Sequence, residues 1–197
     1  QLLKVAVERV MAAELEARGH QGAYTGLDFS IELLQIARAR NFDNSKARFE
    51  PADLSGSDWS AQLAGQQFDV ILCFASLHHI PSEPMRLDFL HQVRRLLAEG
   101  GRFIHSNWQF LKSERLAKRV QSWTRAELDE ADVDDGDYLL DWKRGAEGLR
   151  YVHHFSAEEL AKLGEASGFE VVETFSSDGE TGDLGLYSIW IKSKHAP

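Results

Sequence analysis

The sequence contains little cysteine and no long apolar run. Its single cysteine, Cys73, among 197 residues excludes an internal disulfide framework and a cysteine-only zinc site within one chain. This cysteine usage is typical of a reducing compartment, and we expect a cytoplasmic protein. No apolar run approaches the roughly 18 residues that a membrane-spanning helix needs, and the first residues lack the order of a signal peptide. We therefore expect no membrane partner.

Positive charge is also scarce. The formal net charge is −9, which argues against indiscriminate nucleic-acid binding, because neutralising phosphates requires clustered lysine and arginine. Acidic residues concentrate in Glu127–Asp141, whereas the stretch from Arg94 to Arg125 is rich in arginine and lysine. Two interpretations stay open: a solvated helix face followed by a polar loop, or a local basic surface for an anionic substrate.

The residues that are present indicate an α/β domain. Hydrophobic residues make up 43% of the chain, which is enough for one sizeable core. Strand-like segments alternate with segments of helical period, as in a parallel sheet covered by helices on both faces. The most apolar strand, FDVILCFASL, is expected at the centre of the sheet. The last two strand-like segments, EVVETFSS and LYSIWIKS, are predicted to pair as an antiparallel edge.

Capping residues predict where several helices begin. Ser30 is the expected N-cap of SIELLQIARAR, and Ser57 or Asp58 that of a short helix in SDWSAQLAG. Ser156 and Glu159 have the spacing of a capping box before a further helix.

Two other segments also have helical period. PMRLDFLHQVRRLLAEGG is predicted to form a helix that includes Leu97 and ends at Gly100 and Gly101. LKSERLAKRVQSWTRAELDEA is predicted to be helical, and the acidic residues after it are predicted to form a loop or lid.

The segment AYTGLDFSIELLQIA, Ala23–Ala37, shows the order strand, aspartate and amphipathic helix that is typical of nucleotide-binding units. A glycine-rich turn should lie about 20 residues before the aspartate, Asp28. That window falls near Glu8–Ala12 and contains no glycine.

Together with FEPADLSG, FDVILCFASLHHIP and LAEGGRFIHSNW, this segment resembles the class I S-adenosylmethionine-dependent methyltransferases over most of the chain. The resemblance implies a Rossmann-like, mostly parallel seven-stranded sheet with helices on both faces and an antiparallel last strand. It implies one methyltransferase domain over residues 1–197, with a lid or substrate-side insertion at about 109–155, and S-adenosylmethionine as the cofactor.

The resemblance implies cofactor contacts at the ends of the second and third strands. Asp28, followed by Phe29, matches the acidic residue that accepts from the ribose hydroxyls, although a charge at a helix N-terminus is the alternative. Asp53 and Leu54 match the loop that binds adenine through an acidic side chain and a backbone N–H. A turn aspartate that bonds its own backbone is the alternative for Asp53.

The loop after the fourth strand is expected to lie at the methyl-transfer centre, because open α/β sheets bind ligands at the carboxyl ends of their strands. The resemblance places Cys73, Phe74 and Ala75 beside the cofactor and His78 and His79 at the reacting atoms. One of the two histidines is expected to be a structural cap instead. A metal site is not expected, since adjacent strand residues point apart and no third ligand is indicated.

The glycines of LAEGGRFIHSNW match the family's turn into the fifth strand. The end of this strand, Asn107 and Trp108, is expected to line the acceptor side, although Trp108 fits the core equally well.

Family members also carry an acidic residue and a G-x-G-x-G turn after the first strand. Here ERVM runs directly into AAELEARGH, and we expect about nine residues to be missing between Met11 and Ala12. If the chain is truly continuous there, weak cofactor binding is expected, because nothing replaces the backbone amides of the glycines.

A second resemblance concerns the methyl acceptor. The run GDYLLDWKRGAEGLRYVHHFSAEELAKLGEASGFEV is similar to a segment of tRNA wobble-uridine carboxyl methyltransferases, through Asp137, Trp142, Arg150, Tyr151, His153, His154 and Phe155. Asp141 departs from the pattern, which tends to have proline before the tryptophan. The resemblance implies tRNA as a partner and allows a small activating protein subunit.

The chemistry of the acceptor decides which residues are needed. A carboxylate is already ionised near neutral pH and needs no general base, whereas a phenol, amine or carbon acceptor gains from one. His78, His79, His153 and His154 are the candidates for that base.

A carboxymethyl acceptor should instead meet cations and donors. Lys143, Arg144 and above all Arg150 are the candidates, with Tyr151 as a base-stacking or hydrogen-bonding partner. Alternatively, Tyr151 and Phe155 only anchor the following helix.

Three functions therefore compete. The first is methylation of a modified wobble-uridine carboxylate in tRNA, and the second is methylation of a small metabolite or quinone-like molecule. The third is a non-catalytic, methyltransferase-like partner subunit that has lost its cofactor loop.

Overall fold

A computed structural model describes residues 1–5, 22–39, 46–142 and 148–194. Within them the strands are β1 (Leu2–Val5), β2 (Tyr24–Asp28), β3 (Ala47–Pro51), β4 (Phe68–Phe74), β5 (Leu97–Trp108), β6 (Val120–Gln121), β7 (Asp137–Trp142), β8 (Gly148–His153), β9 (Phe169–Ser177) and β10 (Gly185–Lys192). The α-helices are α1 (Ile31–Arg38), α2 (Glu83–Leu96), α3 (Glu114–Ala117) and α4 (Ala157–Ala166). Short 3₁₀ turns occupy Ala61–Leu63, Leu77–His79, Phe110–Lys112, Trp123–Ala126 and Glu130–Asp132.

Seven strands form the main sheet in the order β3-β2-β1-β4-β5-β10-β9. Neighbours from β3 to β5 are parallel, whereas β10 is antiparallel to both β5 and β9. The predicted Rossmann-like sheet with an antiparallel last strand is therefore confirmed. The apolar strand β4 lies at the centre of this order, as its composition predicted.

The register of the sheet aligns the predicted cofactor residues. Val5 of β1 pairs with Leu27 on one side and with Cys73 on the other. The next residues along those strands, Asp28 and Phe74, are therefore level at the carboxyl edge of the sheet, about 10 Å apart across two strand spacings. Below, "the carboxyl edge" means the ends of β1 to β5 and the loops that directly follow them.

Apolar side chains cover both faces of the main sheet. On one face, β4 and β5 pack against α2 and α4 through Ile71, Phe103, Phe89 and Leu160, which belong to the largest buried cluster. On the other face, a second cluster joins α1 to the sheet and includes Leu34. Helices α1, α2 and α4 thus each bury one apolar face against the main sheet, as an amphipathic helix requires.

Residues 111–131 do not form the predicted helix. They contain the four-residue helix α3, the short strand β6 and 3₁₀ turns. The helical prediction is wrong because long-range pairing overrides the local period: Val120 pairs with Leu140 of β7, and Arg119 bonds Asp141 across the same strands. We call residues 109–155, which join β5 to α4, the insertion. Its small antiparallel sheet has the order β6-β7-β8, and an acidic loop separates β6 from β7.

Two local boundaries also differ from the predictions. The short helix expected after Ser57 or Asp58 is a 3₁₀ turn that follows Ser60, and the Ser60 hydroxyl donates to Gln92 instead of capping. Leu97 does not extend α2, because it already belongs to β5 and pairs with Phe68 of β4.

Two predicted caps are confirmed. The Ser30 hydroxyl accepts from the backbone N–H of Leu33, and the Ser156 hydroxyl accepts from that of Glu159 at 3.0 Å. The Glu159 carboxylate bonds His153 at 2.6 Å, so only the Ser156 half of the predicted capping box is formed. Among the described residues, none of the helices has the length and apolar composition that crossing a membrane requires.

Candidate active site

The first cofactor candidate, Asp28, ends β2 and is buried. Its Oδ1 accepts from the backbone N–H of Ser30 at 2.8 Å, and its backbone carbonyl accepts from Ala52 at 3.0 Å. Phe29 projects from the edge with 80% of its surface exposed. The carboxylate therefore has a fixed position at the carboxyl edge, and it also holds the start of α1.

Asp53 follows β3 at the same edge. Its Oδ1 accepts from the hydroxyl of Ser55 at 2.6 Å and from the Ser55 backbone N–H at 3.0 Å, and these bonds lower the pKa of Asp53. It is thus a turn aspartate as well as a candidate ligand. Leu54 packs against the main core. A groove of about 450 Å³ lies beside it, with Ala52, Asp53 and Trp59 among its lining residues.

The end of β4 is rigidly held. Burial raises the pKa of the Cys73 thiol to about 11, so this side chain stays a neutral core group. The half-buried ring of Phe74 lies 4.2 Å below the Nζ of Lys4. Ala75 adopts a left-handed conformation with φ of 50°, and its N–H donates to the carbonyl of Ser106.

His78 is fully buried and serves the structure. Its Nδ1 accepts from the backbone N–H of Trp108 at 3.2 Å, so this lone pair is already used. Burial, followed by the neighbouring His79, lowers the pKa of His78 well below its usual value, while a hydrogen bond with Asn107 opposes the shift. Its ring also lies against that of Trp108, with centroids 6.2 Å apart. His78 therefore joins the β4 loop to the end of β5.

In His79 the Nδ1 atom donates a hydrogen bond, whereas in His78 it accepts one. The Nδ1 of His79 lies 2.9 Å from the carbonyl oxygen of Tyr151, and because a carbonyl only accepts, Nδ1 carries the proton. The Nε2 atom then keeps its lone pair. Burial lowers the pKa of His79 to about 4, with a contribution from the positive charge of Arg150, while the bond to Tyr151 opposes the shift. At neutral pH the ring is a neutral base.

The predicted acceptor residues of β5 lie directly beneath this loop. Asn107 is buried, and its amide nitrogen lies 3.0 Å from Nδ1 of His105. Trp108 is half-buried and packs on the apolar cluster of the insertion, which contains Phe110, Leu116, Leu140 and Val152. Trp108 thus contacts both the core of the insertion and the histidine loop.

Arg150 supplies a cation near His79. Its guanidinium carbon lies 3.8 Å from the centroid of the Trp142 ring, and burial followed by Arg119 lowers its pKa. Arg119 is itself paired with Asp141 at 2.7 Å. Within the described part of the chain, Arg150 has no carboxylate partner. The other predicted cations, Lys143 and Arg144, lie outside the described residues.

Tyr151 and the following histidines face the interior of the insertion. The Tyr151 hydroxyl donates to Asp137 at 2.5 Å and accepts from Arg86 at 3.0 Å, and burial raises its pKa. His153 is buried between Asp137 and Glu159, each 2.6 Å from one ring nitrogen.

His154 is half-buried, with its ring 5.5 Å from that of Phe110, and burial lowers its pKa. Of the predicted side chains, Arg150 lies close enough to His79 to lower the pKa of that histidine, and Trp108 lies against the ring of His78. The polar groups of Tyr151 and His153 bond Asp137 inside the insertion instead.

The sequence reasoning missed Arg86. This arginine is 2% exposed and lies on the core-facing side of α2, next to Phe89 and Leu90 in helical spacing. A charged residue within an apolar stripe needs a buried partner. The position of Arg86 in the apolar stripe of α2 is therefore the sequence signal that could have revealed it. Its partners are Asp134, Tyr151 and the carbonyl of Ile80.

Comparisons with known proteins identify the family of this domain. A model of the methyltransferase domain family matches residues 8–174, and the chain belongs to this family. A protein of Encephalitozoon cuniculi that bears a methyltransferase name is 29% identical over 148 residues, which are 75% of this chain and 62% of that protein. The chain thus spans less than two thirds of this relative.

Solved structures share the fold. A SAM-dependent methyltransferase from Methanosarcina mazei is 21% identical, with a TM-score of 0.71 over 98% of this chain and 92% of that chain. The 1,6-didemethyltoxoflavin-N1-methyltransferase of Burkholderia thailandensis, bound to 1,6-didemethyltoxoflavin and S-adenosylhomocysteine, is also 21% identical. Its TM-score is 0.64 over 98% of this chain and 71% of that chain.

Proposed function

We propose that this protein is an S-adenosylmethionine-dependent methyltransferase that binds the cofactor at the carboxyl edge. The observation that carries the proposal is the sheet register, which sets Asp28 and Phe74 level at that edge on either side of β1. Membership of the methyltransferase domain family supports the same reaction class.

The residues of the carboxyl edge fit the adenosine part of the cofactor. Asp28 would hold the ribose hydroxyls, and Asp53 with Leu54 would hold adenine beside the groove of about 450 Å³. The glycine turn that would hold the methionine part has no counterpart in the sequence near Glu8–Ala12, which lies outside the described residues. When bound, S-adenosylmethionine supplies an electrophilic methyl group on a sulfonium.

The protein's own contribution is to orient the acceptor and to move one proton. Methyl transfer is an in-line displacement, so placing the acceptor atom accounts for much of the rate. The Nε2 lone pair of His79 would take the proton from an acceptor O–H or N–H. The acceptor's electron pair would then bond the methyl carbon as the carbon–sulfur bond breaks, with sulfur leaving as a neutral thioether. Arg150 stabilises the negative charge that develops on the acceptor.

We propose a small molecule with an ionisable O–H or N–H as the acceptor. A neutral histidine base is useful only for an acceptor that must lose a proton. The net charge of −9 works against binding a polyanion. The Burkholderia enzyme of the same fold is named as an N1-methyltransferase of 1,6-didemethyltoxoflavin.

A carboxylate on a modified wobble uridine of tRNA is the second candidate. Arg150 stacks on Trp142 and has no carboxylate partner among the described residues. A guanidinium in this situation suits an anionic acceptor, which favours the second candidate. Such an acceptor needs no base. Removal of the His79 imidazole therefore distinguishes the two candidates.

The experiment measures transfer of a labelled methyl group from S-adenosylmethionine to a panel of metabolites and to bulk tRNA. We expect transfer to a small molecule and a loss of roughly 100-fold in His79→Gln, the range of general-base catalysis. His91→Gln, a change at an exposed histidine of α2, is the matched control and should keep full activity. Salt-sensitive methylation of tRNA that survives His79→Gln would favour the second candidate instead.

The third interpretation, a non-catalytic partner subunit, has its own test. A variant with a glycine-rich turn of about nine residues inserted between Met11 and Ala12 should bind the cofactor more tightly than the chain as it stands. If this variant neither binds S-adenosylmethionine nor transfers a methyl group, the methyltransferase proposal is contradicted.

A further inference from the structure

Arg86 bonds both sides of the contact that holds His79. Its Nη1 donates to the carbonyl of Ile80, the residue directly after His79, at 3.3 Å. The same nitrogen donates to the hydroxyl of Tyr151 at 3.0 Å, and Tyr151 is the residue whose carbonyl accepts from His79. One buried guanidinium thus ties the histidine loop of the main domain to strand β8 of the insertion.

Two aspartates of the insertion in turn hold the guanidinium of Arg86. Its Nη2 donates to Asp134 at 2.8 Å, and Asp134 also accepts from the backbone N–H of Glu83 at the start of α2. Asp137 accepts from the Tyr151 hydroxyl at 2.5 Å and lies 3.9 Å from Nη1 of Arg86. Because the fork of an arginine has fixed geometry, this arrangement limits how far β8 and the histidine loop can separate.

We propose that Arg86 is a positioning residue for His79, an inference that rests on the proposed function of His79 as the base. Arg86 keeps the Tyr151 carbonyl against Nδ1 of His79 and thereby keeps the proton on Nδ1 and the lone pair on Nε2. Without it, β8 and the loop separate, and the ring rotates or changes tautomer. A lysine at this position has a single ammonium and cannot bond both the Ile80 carbonyl and the Tyr151 hydroxyl with the planar geometry of a guanidinium.

The tautomer of His79 is a direct readout that needs no acceptor. In ¹⁵N spectra of the histidine rings, the signal lost in His79→Gln identifies this residue. The native chain should show one protonated nitrogen, Nδ1, and one unprotonated nitrogen, Nε2. In Arg86→Gln the two signals should move toward a common average, and in Arg86→Lys they should move part of the way.

Kinetics provide the second readout. Arg86→Gln should lower kcat for the acceptor roughly 10- to 100-fold, the cost of a misplaced reacting group, while the affinity for S-adenosylmethionine stays unchanged. Arg94→Gln is the matched control, because Arg94 lies on the same helix and donates to the distant carbonyl of Gly168. It should leave both the tautomer and kcat unaltered.

A buried arginine can be essential for folding, so a second variant is needed. Tyr151→Phe removes only the hydroxyl that Arg86 and Asp137 bond, and it should shift the His79 signals in the same direction by a smaller amount. A single unchanged Nδ1–H tautomer in Tyr151→Phe and in folded Arg86→Gln would overturn the inference. If the native chain transfers no methyl group, the proposed function fails while the spectra still decide the role of Arg86.

Discussion

The main sheet and the insertion are stabilised in different ways. The sheet buries apolar side chains on both faces, and Phe103 of β5 lies against Phe169 and Trp190. The insertion has a small apolar cluster and a buried network of charged and polar groups around Asp137. Apolar burial is non-directional and sets the scaffold. Directional hydrogen bonds orient the polar groups instead: the Tyr151 carbonyl accepts from His79, and the charged Arg86 and Asp137 hold the Tyr151 hydroxyl.

The largest expected effect is a loss of apolar packing in the main sheet. Phe103→Ala should reduce the free energy of unfolding by about 3–5 kcal/mol, because the ring is fully buried and its neighbours cannot fill the space. Urea unfolding measures the loss. Phe110→Ala, at an equally buried phenylalanine of the insertion, should cost less, since its smaller cluster can collapse more easily. An equal or larger loss for Phe110→Ala would contradict this comparison.

Breaking the polar network of the insertion should be nearly as costly. Asp137→Ala leaves Arg86 and His153 without their shared carboxylate, and about 3 kcal/mol of unfolding free energy should be lost. Asp137→Asn, which keeps one acceptor oxygen, is the milder comparison and should cost less. Denaturant midpoints of the two variants test this order. A stable Asp137→Ala protein would show that the network does not hold the insertion.

Acid should weaken the main sheet, through His105, and its contact with the insertion, through His79. Burial lowers the pKa of His105 to about 3 and that of His79 to about 4, both from an ordinary value of about 6.5. Below pH 6.5 these histidines become protonated in the unfolded chain, whereas they stay neutral in the folded chain. Each site should therefore cost roughly 1.4 kcal/mol of stability per pH unit until its folded pKa is reached.

The contribution of His105 can be isolated by substitution. Its ring lies between Phe103 and Trp190 in the core of the sheet, so His105→Phe fits an apolar site. Unfolding free energies measured between pH 7 and pH 5 should decline less steeply in this variant. An unchanged slope would mean that His105 is not the neutral, buried group described above.

The smallest expected effect concerns the exposed side of the insertion. Arg150→Ala removes a cation–π contact with Trp142 and should lower stability by less than about 1 kcal/mol. Its main consequence should be a higher KM for the acceptor with unchanged affinity for S-adenosylmethionine. Steady-state kinetics and cofactor titration separate these two quantities. If Arg150→Ala weakened only the affinity for S-adenosylmethionine, Arg150 would contact the cofactor and its assignment to the acceptor would be wrong.

These two regions also differ in how far their sequences predict them. Strand β4, the Ser30 cap and the antiparallel β10 follow from local period and capping chemistry, and all three were predicted correctly. Strand β6 was not predicted, because its period is helical and only the pairing of Val120 with Leu140 makes it a strand. Long-range pairing of this kind is not visible in a local window of residues.

For the site, the sequence offers candidate residues at several strand ends and does not indicate which of their polar atoms are already hydrogen-bonded. Both histidines of the β4 loop were candidates for the base. Only the structure shows that His78 uses its Nδ1 lone pair on Trp108, whereas His79 donates from Nδ1 to Tyr151. The tautomer depends on a residue more than seventy positions away, which explains why the sequence left both open.

The most direct test of the central claim is a calorimetric titration with S-adenosylmethionine of the native chain, Asp28→Ala and Asp28→Asn. The account predicts saturable binding to the native chain, and a loss in Asp28→Ala of roughly 1.5–3 kcal/mol for each hydrogen bond to the carboxylate that is removed. Asp28→Asn should lose less, because it keeps one acceptor oxygen. Equal affinities for the native chain and a folded Asp28→Ala protein would contradict a cofactor site at the carboxyl edge.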